Sequence, residues 1–185
     1  MEAEISDLAM KAQFHIGLSG TDEEGNWTDA GFDRAEYSIS TNPGEPVHAL
    51  EEIASGGELS RVMLALKSSV EAGSTKKRVS GSQRTMIFDE IDTGIGGRAA
   101  EAVGKKLKAL SRRNQVLCVT HLPQIATFAD YHYLIEKKQL AGRTRTSVRQ
   151  IAGDERTQEI ARMLSGERLT ETSIRHAEQL LKANA

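Results

Sequence analysis

The sequence predicts an α/β domain: a sheet core flanked by helices, with an antiparallel hairpin beside it. Three observations carry this. Thr85-Met86-Ile87-Phe88 and Val116-Leu117-Cys118-Val119 are short apolar runs ending in polar residues, and they read as buried strands, the first of the parallel kind. Stretches with apolar residues at helical spacing precede, separate and follow them. Residues 133–151 form two arms about Ala141-Gly142, the pattern of a hairpin.

The elements follow in order. Met1 to Gln13 carries Ile5, Leu8 and Ala12 at near-helical spacing among charges, as in the last turns of a longer helix. Phe14, Ile16 and Leu18 alternate, as do Ala35, Tyr37 and Ile39, which predicts two half-buried strands. Gly20 to Gly31 between them is polar and turn-rich, with Trp27 its one large apolar residue. Asn42-Pro43-Gly44-Glu45-Pro46 breaks the strand pattern. A strong amphipathic helix then starts near Ser55, with Leu59, Val62, Met63, Leu66 and Val70 at i, i+3, i+4, i+7 and i+11. Ala72 to Gln83, rich in Gly, Ser, Thr and Lys, reads as a loop holding the basic run Lys76-Lys77-Arg78.

Beyond the first apolar strand, Gly96-Gly97 precedes a helix with Val103, Leu107 and Leu110 on one face. The second apolar strand follows, then a helical stretch around Gln124 to Ala129. The hairpin arms carry Lys137, Lys138, Arg143, Arg145 and Arg149, the densest basic surface in the chain. An antiparallel ribbon can lay such residues along a phosphate backbone; a charged edge that resists strand pairing accounts for the same residues. Asp154 starts a helix with Ile160, Met163 and Leu164 inward, stopped near Gly166, and a final helix carries Ile174, Ala177, Leu180 and Leu181.

Composition bounds the function. At 185 residues the chain suits one domain with a sizeable core. The net charge of −2 does not advertise nucleic-acid binding, so any such contact must come from a local patch. The single cysteine, Cys118, lies inside an apolar strand; this excludes a disulfide framework and fits a reducing cytoplasm. No apolar run of about 18 residues and no signal peptide is present, so neither a membrane span nor export by the common route is expected.

The chemistry is concentrated at three places. Ser55-Gly56-Gly57 leaves the backbone bare just before a helix whose first turn has unpaired amides and a positive dipole end, which is a design for binding a phosphate. A plain turn that starts a helix would look the same. Asp89 and Glu90 end the first apolar strand, where ligands bind in open α/β sheets. Two adjacent carboxylates there suit metal-assisted phosphoryl transfer, one holding Mg²⁺ and the other orienting or deprotonating a water, although two solvated acids can also merely cap a strand. Thr120-His121 ends the second strand, and His121 can donate to a phosphate or polarise a water.

In this order and spacing the motifs resemble the second half of an ATP-binding-cassette ATPase head. Ala54 to Leu59 looks like the signature motif, Thr85 to Glu90 like Walker B, Ile91 to Gly97 like the D-loop and His121 like the switch histidine. The segments Ile53 to Arg61, Phe88 to Gly94 and Val119 to Ala126 narrow the resemblance to the RecN family of bacterial DNA-repair ATPases, relatives of the structural-maintenance-of-chromosomes (SMC) proteins. Thr93-Gly94 and His121-Leu122-Pro123-Gln124 are the more specific marks. Gly96 departs from the pattern, standing where a serine is expected, so a hydroxyl contact from that loop is lost.

The resemblance implies a fold and a mechanism. Residues 1–13 would be the end of a coiled-coil helix, and residues 14–185 the C-terminal half of an SMC-type P-loop ATPase head. Two heads would close around two molecules of ATP. Asp89 would hold Mg²⁺, Glu90 would polarise the attacking water and His121 would contact the γ-phosphate. Ser55, Gly56, Gly57 and Glu58, with Asp92 of the D-loop, would contact nucleotide, the signature residues acting on the ATP of the opposite head. Lys137, Lys138, Arg143 and Arg145 would contact DNA, and the protein would be cytoplasmic and nucleoid-associated. No Gly-x-x-x-x-Gly-Lys-Ser/Thr loop occurs in the sequence, so the expected partner is an N-terminal half of the same head carrying that Walker A loop. A head of another cassette ATPase, or a non-catalytic module docking on a partner head, are the alternatives.

Overall fold

A computed structural model describes residues 1–20, 23–40, 44, 46–53, 55–73, 84–140 and 143–184. Ala54, the basic run Lys76-Lys77-Arg78 and the turn Ala141-Gly142 lie outside the described residues. The elements in order are α1 (Glu2–Ser6), β1 (Gln13–Gly20), β2 (Asp33–Ser40), β3 (His48–Ala49), α2 (Gly56–Gly73), β4 (Thr85–Phe88), α3 (Gly97–Ser111), β5 (Gln115–Cys118), α4 (Pro123–Ala126), β6 (His132–Leu140), β7 (Arg143–Ile151), α5 (Gly153–Ser165) and α6 (Glu171–Ala183). Among the described residues three small sheets form: β1-β2-β3 and β6-β7 are antiparallel, and β4-β5 is parallel. The α/β class is therefore as expected.

The main core joins α1, α2, α3 and one face of β4-β5. Ile5, Leu8, Val62, Leu64, Ile91 and Val103 are fully buried there. A parallel pair needs a crossover, and α3 supplies it with Val103, Leu107 and Leu110 inward, as the spacing predicts. Gly104 lets α3 approach α4 closely; a Cβ there would sit 2.3 Å from the Phe128 ring. A second cluster forms between α5 and α6 around Ile160, Ala161 and Ala177. Thr170 and Ser173 cap α6 reciprocally, and Gly166, at φ 77°, ends α5.

Four expectations need correction. The first helix stops at Ser6; Gln13, expected within it, opens β1. The short β3 was not foreseen. The α2 stripe is offset: Arg61, Val62, Leu64 and Ala65 are buried, while Val70 is 62% exposed. Burial of the strands is one-sided or partial. On β4-β5, Met86, Phe88, Val116 and Cys118 meet the core, whereas Ile87 is 70% and Leu117 46% exposed on the other face. On β1-β2, Ile16 and Leu18 stand opposite Tyr37 and Ala35, and this apolar face is open except near Phe14 and Ile39. An apolar run reveals that a strand wants cover, and nothing in the run says which part of a protein provides it.

Candidate functional site

The in-register parallel pairing of β4 with β5, Phe88 opposite Cys118, brings both strand ends to one edge. The amide of Val119 donates to the Phe88 carbonyl at 3.0 Å and extends the ladder by one bond. Asp89-Glu90 and Thr120-His121 therefore emerge side by side, where chemistry is placed in open sheets. A tight turn follows, closed by the Thr93 amide on the Glu90 carbonyl at 3.0 Å. Glu90 adopts φ 57°, the left-handed region that costs a side-chain-bearing residue about 1–2 kcal/mol. Both carboxylates are exposed, and Asp89 accepts the Glu90 amide on Oδ1 at 2.9 Å.

The start of α2 is fastened to this turn. The Ser60 hydroxyl donates to the Asp89 carbonyl at 2.9 Å. Arg61 lies buried, and its Nη1 donates to the carbonyls of Ile91 at 3.3 Å and Thr93 at 2.8 Å. Burial lowers the Arg61 pKa, and the Glu58 carboxylate acts against that shift. Ser55 caps the helix, its Oγ accepting the Glu58 amide at 3.4 Å. The two glycines serve the packing directly. A Cβ on Gly56 would fall 2.5 Å from Glu90 Oε2, and one on Gly57 would fall 2.9 Å from Thr93 Cβ and 3.1 Å from the Glu90 carbonyl. The reading of Gly56-Gly57 as bare backbone for an anion thus has a companion: at Gly57 a side chain would meet the backbone of the carboxylate turn, while at Gly56 it would displace only the end of the Glu90 side chain.

Asp92, expected to contact nucleotide, is 4% exposed and turned toward β5. Its Oδ2 accepts the Thr120 hydroxyl at 2.6 Å and the His121 amide at 2.8 Å, and the His121 ring stands beside it with Nδ1 at 2.9 Å. Burial pushes the carboxyl pKa up, and these partners outweigh it, holding the group below its ordinary value. Ser55, Gly56, Gly57, Glu58, Asp89, Glu90, Asp92 and His121 thus form one connected constellation. Arg61 and Ser60 belong to it and were not singled out from the sequence. An arginine set among the apolar positions of α2 was the available signal.

The fit to a metal is limited and specific. Among the described residues no group of three His, Cys, Asp or Glu side chains could hold one. Asp89 offers a single exposed carboxylate, which suits Mg²⁺ held by one carboxylate together with nucleotide phosphates and water. Burial pushes the Cys118 thiol up to about 12, which disfavours its thiolate form at neutral pH.

The basic hairpin stands apart from this constellation, and β pairing divides its charges. Lys138 pairs with Arg145 and Leu140 with Arg143, so Lys138, Arg143 and Arg145 share one face. Lys137, opposite Thr146, points to the other, beside exposed Ile135, Tyr133 and Val148. Arg149 is paired with Glu155 and Glu136, and Lys138 lies 3.6 Å from Glu136. The four residues grouped from the sequence are therefore not one surface.

No protein-family model matches the chain. It is 47% identical to a DNA repair protein RecN of Treponema pallidum, over the whole chain and 32% of that protein. It is 44% identical to a RecN of Halalkalibacterium halodurans, over 96% of the chain and 30% of that protein. The chain thus spans about a third of the length of these relatives, and matches their C-terminal part. Its fold is that of part of the Smc head domain. It superposes with a TM-score of 0.51 at 18% identity on a Pyrococcus furiosus Smc head bound to the C-terminal domain of ScpA, covering 80% of this chain and 33% of that one. For the Pyrococcus yayanosii Smc head the TM-score is 0.50 at 20% identity, covering 79% and 25%. Identity at this level along nearly the whole chain, with the strand-end carboxylates and the Ser-Gly-Gly helix in place, makes the chain the C-terminal part of a RecN family member.

Proposed function

We propose that this chain is the C-terminal half of the head of an SMC-like ATPase that repairs DNA double-strand breaks, and that ATP drives two such heads together. The observation that carries the reading is the constellation at the ends of β4 and β5, set against the first turn of α2. Asp89 would hold Mg²⁺, which neutralises phosphate charge when bound. Glu90 would take a proton from the attacking water, and His121 would contact the γ-phosphate. Ser55, Gly56 and Gly57 would meet the nucleotide of the opposite head. The amides of Gly56 and Gly57 have no hydrogen-bond partner among the described residues, as an anion site requires.

A second set of observations supports an N-terminal half as partner. Among the described residues β5 pairs on one edge only, with β4, and β6 pairs only with β7. Ile87, Leu117 and Val119 present an apolar face without cover. Another part of the same protein, carrying the Walker A loop, would supply both strand edge and cover. DNA would be met by Lys138, Arg143 and Arg145 on one face of the hairpin and by Lys137 on the other, and the protein would work at the nucleoid. No helix among the described residues is long and apolar enough to cross a membrane.

The test is head pairing. Ser55→Arg places a large cation where the opposite γ-phosphate must enter. Complete heads carrying it should bind ATP yet fail to pair, read by light scattering with and without ATP. Pairing equal to that of the unaltered protein would sink the signature reading.

A further inference from the structure

We propose that Asp92 is a positioning residue: its buried carboxylate fixes the tautomer and the facing of the His121 ring, so that Nε2 is the atom offered to substrate. The proposal rests on the nucleotide-binding reading above and reassigns Asp92 within it. Two donors converge on the single oxygen Oδ2, the Thr120 hydroxyl and the His121 amide, and His121 Nδ1 lies 2.9 Å from the same oxygen as an ion-pair contact. The His121 amide and ring thus both face one atom. The Asp92 side chain is 5% exposed while the His121 side chain is 75% exposed. The ring is therefore gripped on its inner edge and open on its outer one.

A carboxylate accepts and does not donate, so Nδ1 must carry the proton when the ring is neutral. Nε2 is then a lone-pair acceptor in the neutral ring and a donor once the ring is charged. Either way its direction is set before substrate arrives. The carboxylate is itself immobilised. Arg61 donates to the carbonyls of Ile91 and Thr93, the residues on either side of Asp92. The Thr120 hydroxyl, besides donating to Asp92, accepts the Leu122 amide at 3.0 Å. A chain of fixed groups thus runs from α2 through the carboxylate turn to the ring. Partners that orient a working histidine in this way commonly change activity about 10–100-fold when removed.

The experiment uses ¹⁵N-histidine-labelled 185-residue chain at pH about 8, above the ordinary histidine range. Nitrogen–proton correlation spectra identify the tautomer of each ring. The unaltered chain should show His121 with Nδ1 protonated, and this needs no variant. Asp92→Asn should shift the ring toward the Nε2-protonated form, while Thr120→Val, which keeps the carboxylate, should leave the tautomer in place. In the chain combined with a Walker A-bearing half, Asp92→Asn should lower kcat for ATP about 10–100-fold with KM changed far less. An unprotonated Nδ1 in the unaltered chain, or a tautomer insensitive to Asp92→Asn, would overturn the proposal. So would a shifted tautomer with unchanged kcat. If the unaltered combination does not turn over ATP at all, the nucleotide reading fails instead, and the spectra alone decide whether Asp92 sets the ring.

Discussion

The two-stranded sheets β4-β5 and β6-β7 invite comparison. Each presents charged residues that sequence inspection singles out, yet they are built oppositely. At the end of β4-β5 the charges sit on a turn whose polar groups are bound from behind by Ser60, Arg61 and the Thr120-His121 segment. On β6-β7 the cations stand on an exposed ribbon, and Lys138 and Arg149 turn toward Glu136. The two sheets therefore differ less in how many charges they hold than in what holds the charges still. Solvated pairs contribute little, whereas a fixed group facing a site is organised before its ligand arrives.

Changes at the two sheets should separate this difference, beginning with the largest effect. Glu90→Gln replaces one oxygen with an amide and leaves Asp89 in place. In the complete head it should slow turnover on the order of 10²–10⁴-fold, about 3–5 kcal/mol of barrier, with nucleotide still bound and heads accumulating as pairs. Turnover and pair fraction measured together check this, and normal turnover would return Glu90 to a strand cap. Next, Gly57→Val forces a branched side chain against Thr93 and the Glu90 carbonyl, and Arg61→Leu leaves the Ile91 and Thr93 carbonyls without their donor. Each should cost about 1–3 kcal/mol in denaturant unfolding.

A smaller effect belongs to His132, at the base of the hairpin. Burial, helped by the nearby Arg156 cation, holds its pKa below the ordinary 6.5, and its Nδ1 has no hydrogen-bond partner among the described residues. Below about 6.5 the unfolded chain binds a proton that the folded chain resists, so this contribution is present at neutral pH and is lost as pH falls. Unfolding midpoints between pH 7.5 and 5.5 should decline, and His132→Asn should flatten the slope. The smallest effect is at the ribbon's outer part. Lys138, Arg143 and Arg145 changed together to Glu should leave stability within about 0.5 kcal/mol. DNA affinity of the complete protein should nonetheless fall, with a shallower salt dependence. Lys137→Glu, on the opposite face, separates the two sides of the ribbon.

Much of this was legible from pattern. Strand ends at Asp89-Glu90 and Thr120-His121 follow from apolar runs with abrupt polar stops. The α3 face follows from the spacing of Val103, Leu107 and Leu110. What escaped has a common physical cause: spacing reports which residues share a face, and says nothing of what meets that face. Ile87 and Leu117 read as buried because they are apolar, though no described element covers them. Asp92 was placed at nucleotide by the family resemblance, and its burial, made tolerable by the Thr120 hydroxyl and the His121 amide, is not visible in spacing. Strand alternation alone would have parted Lys137 from Lys138.

The central claim is that this chain holds the water-activating half of a nucleotide site and needs a Walker A-bearing half to complete it. ATP turnover, followed while that half is titrated into a fixed amount of this chain, tests it most directly. The account predicts hydrolysis no faster than buffer at the start, a rise that saturates near equal amounts, and its loss in Glu90→Gln. Robust hydrolysis by the chain alone, surviving Glu90→Gln, would contradict it.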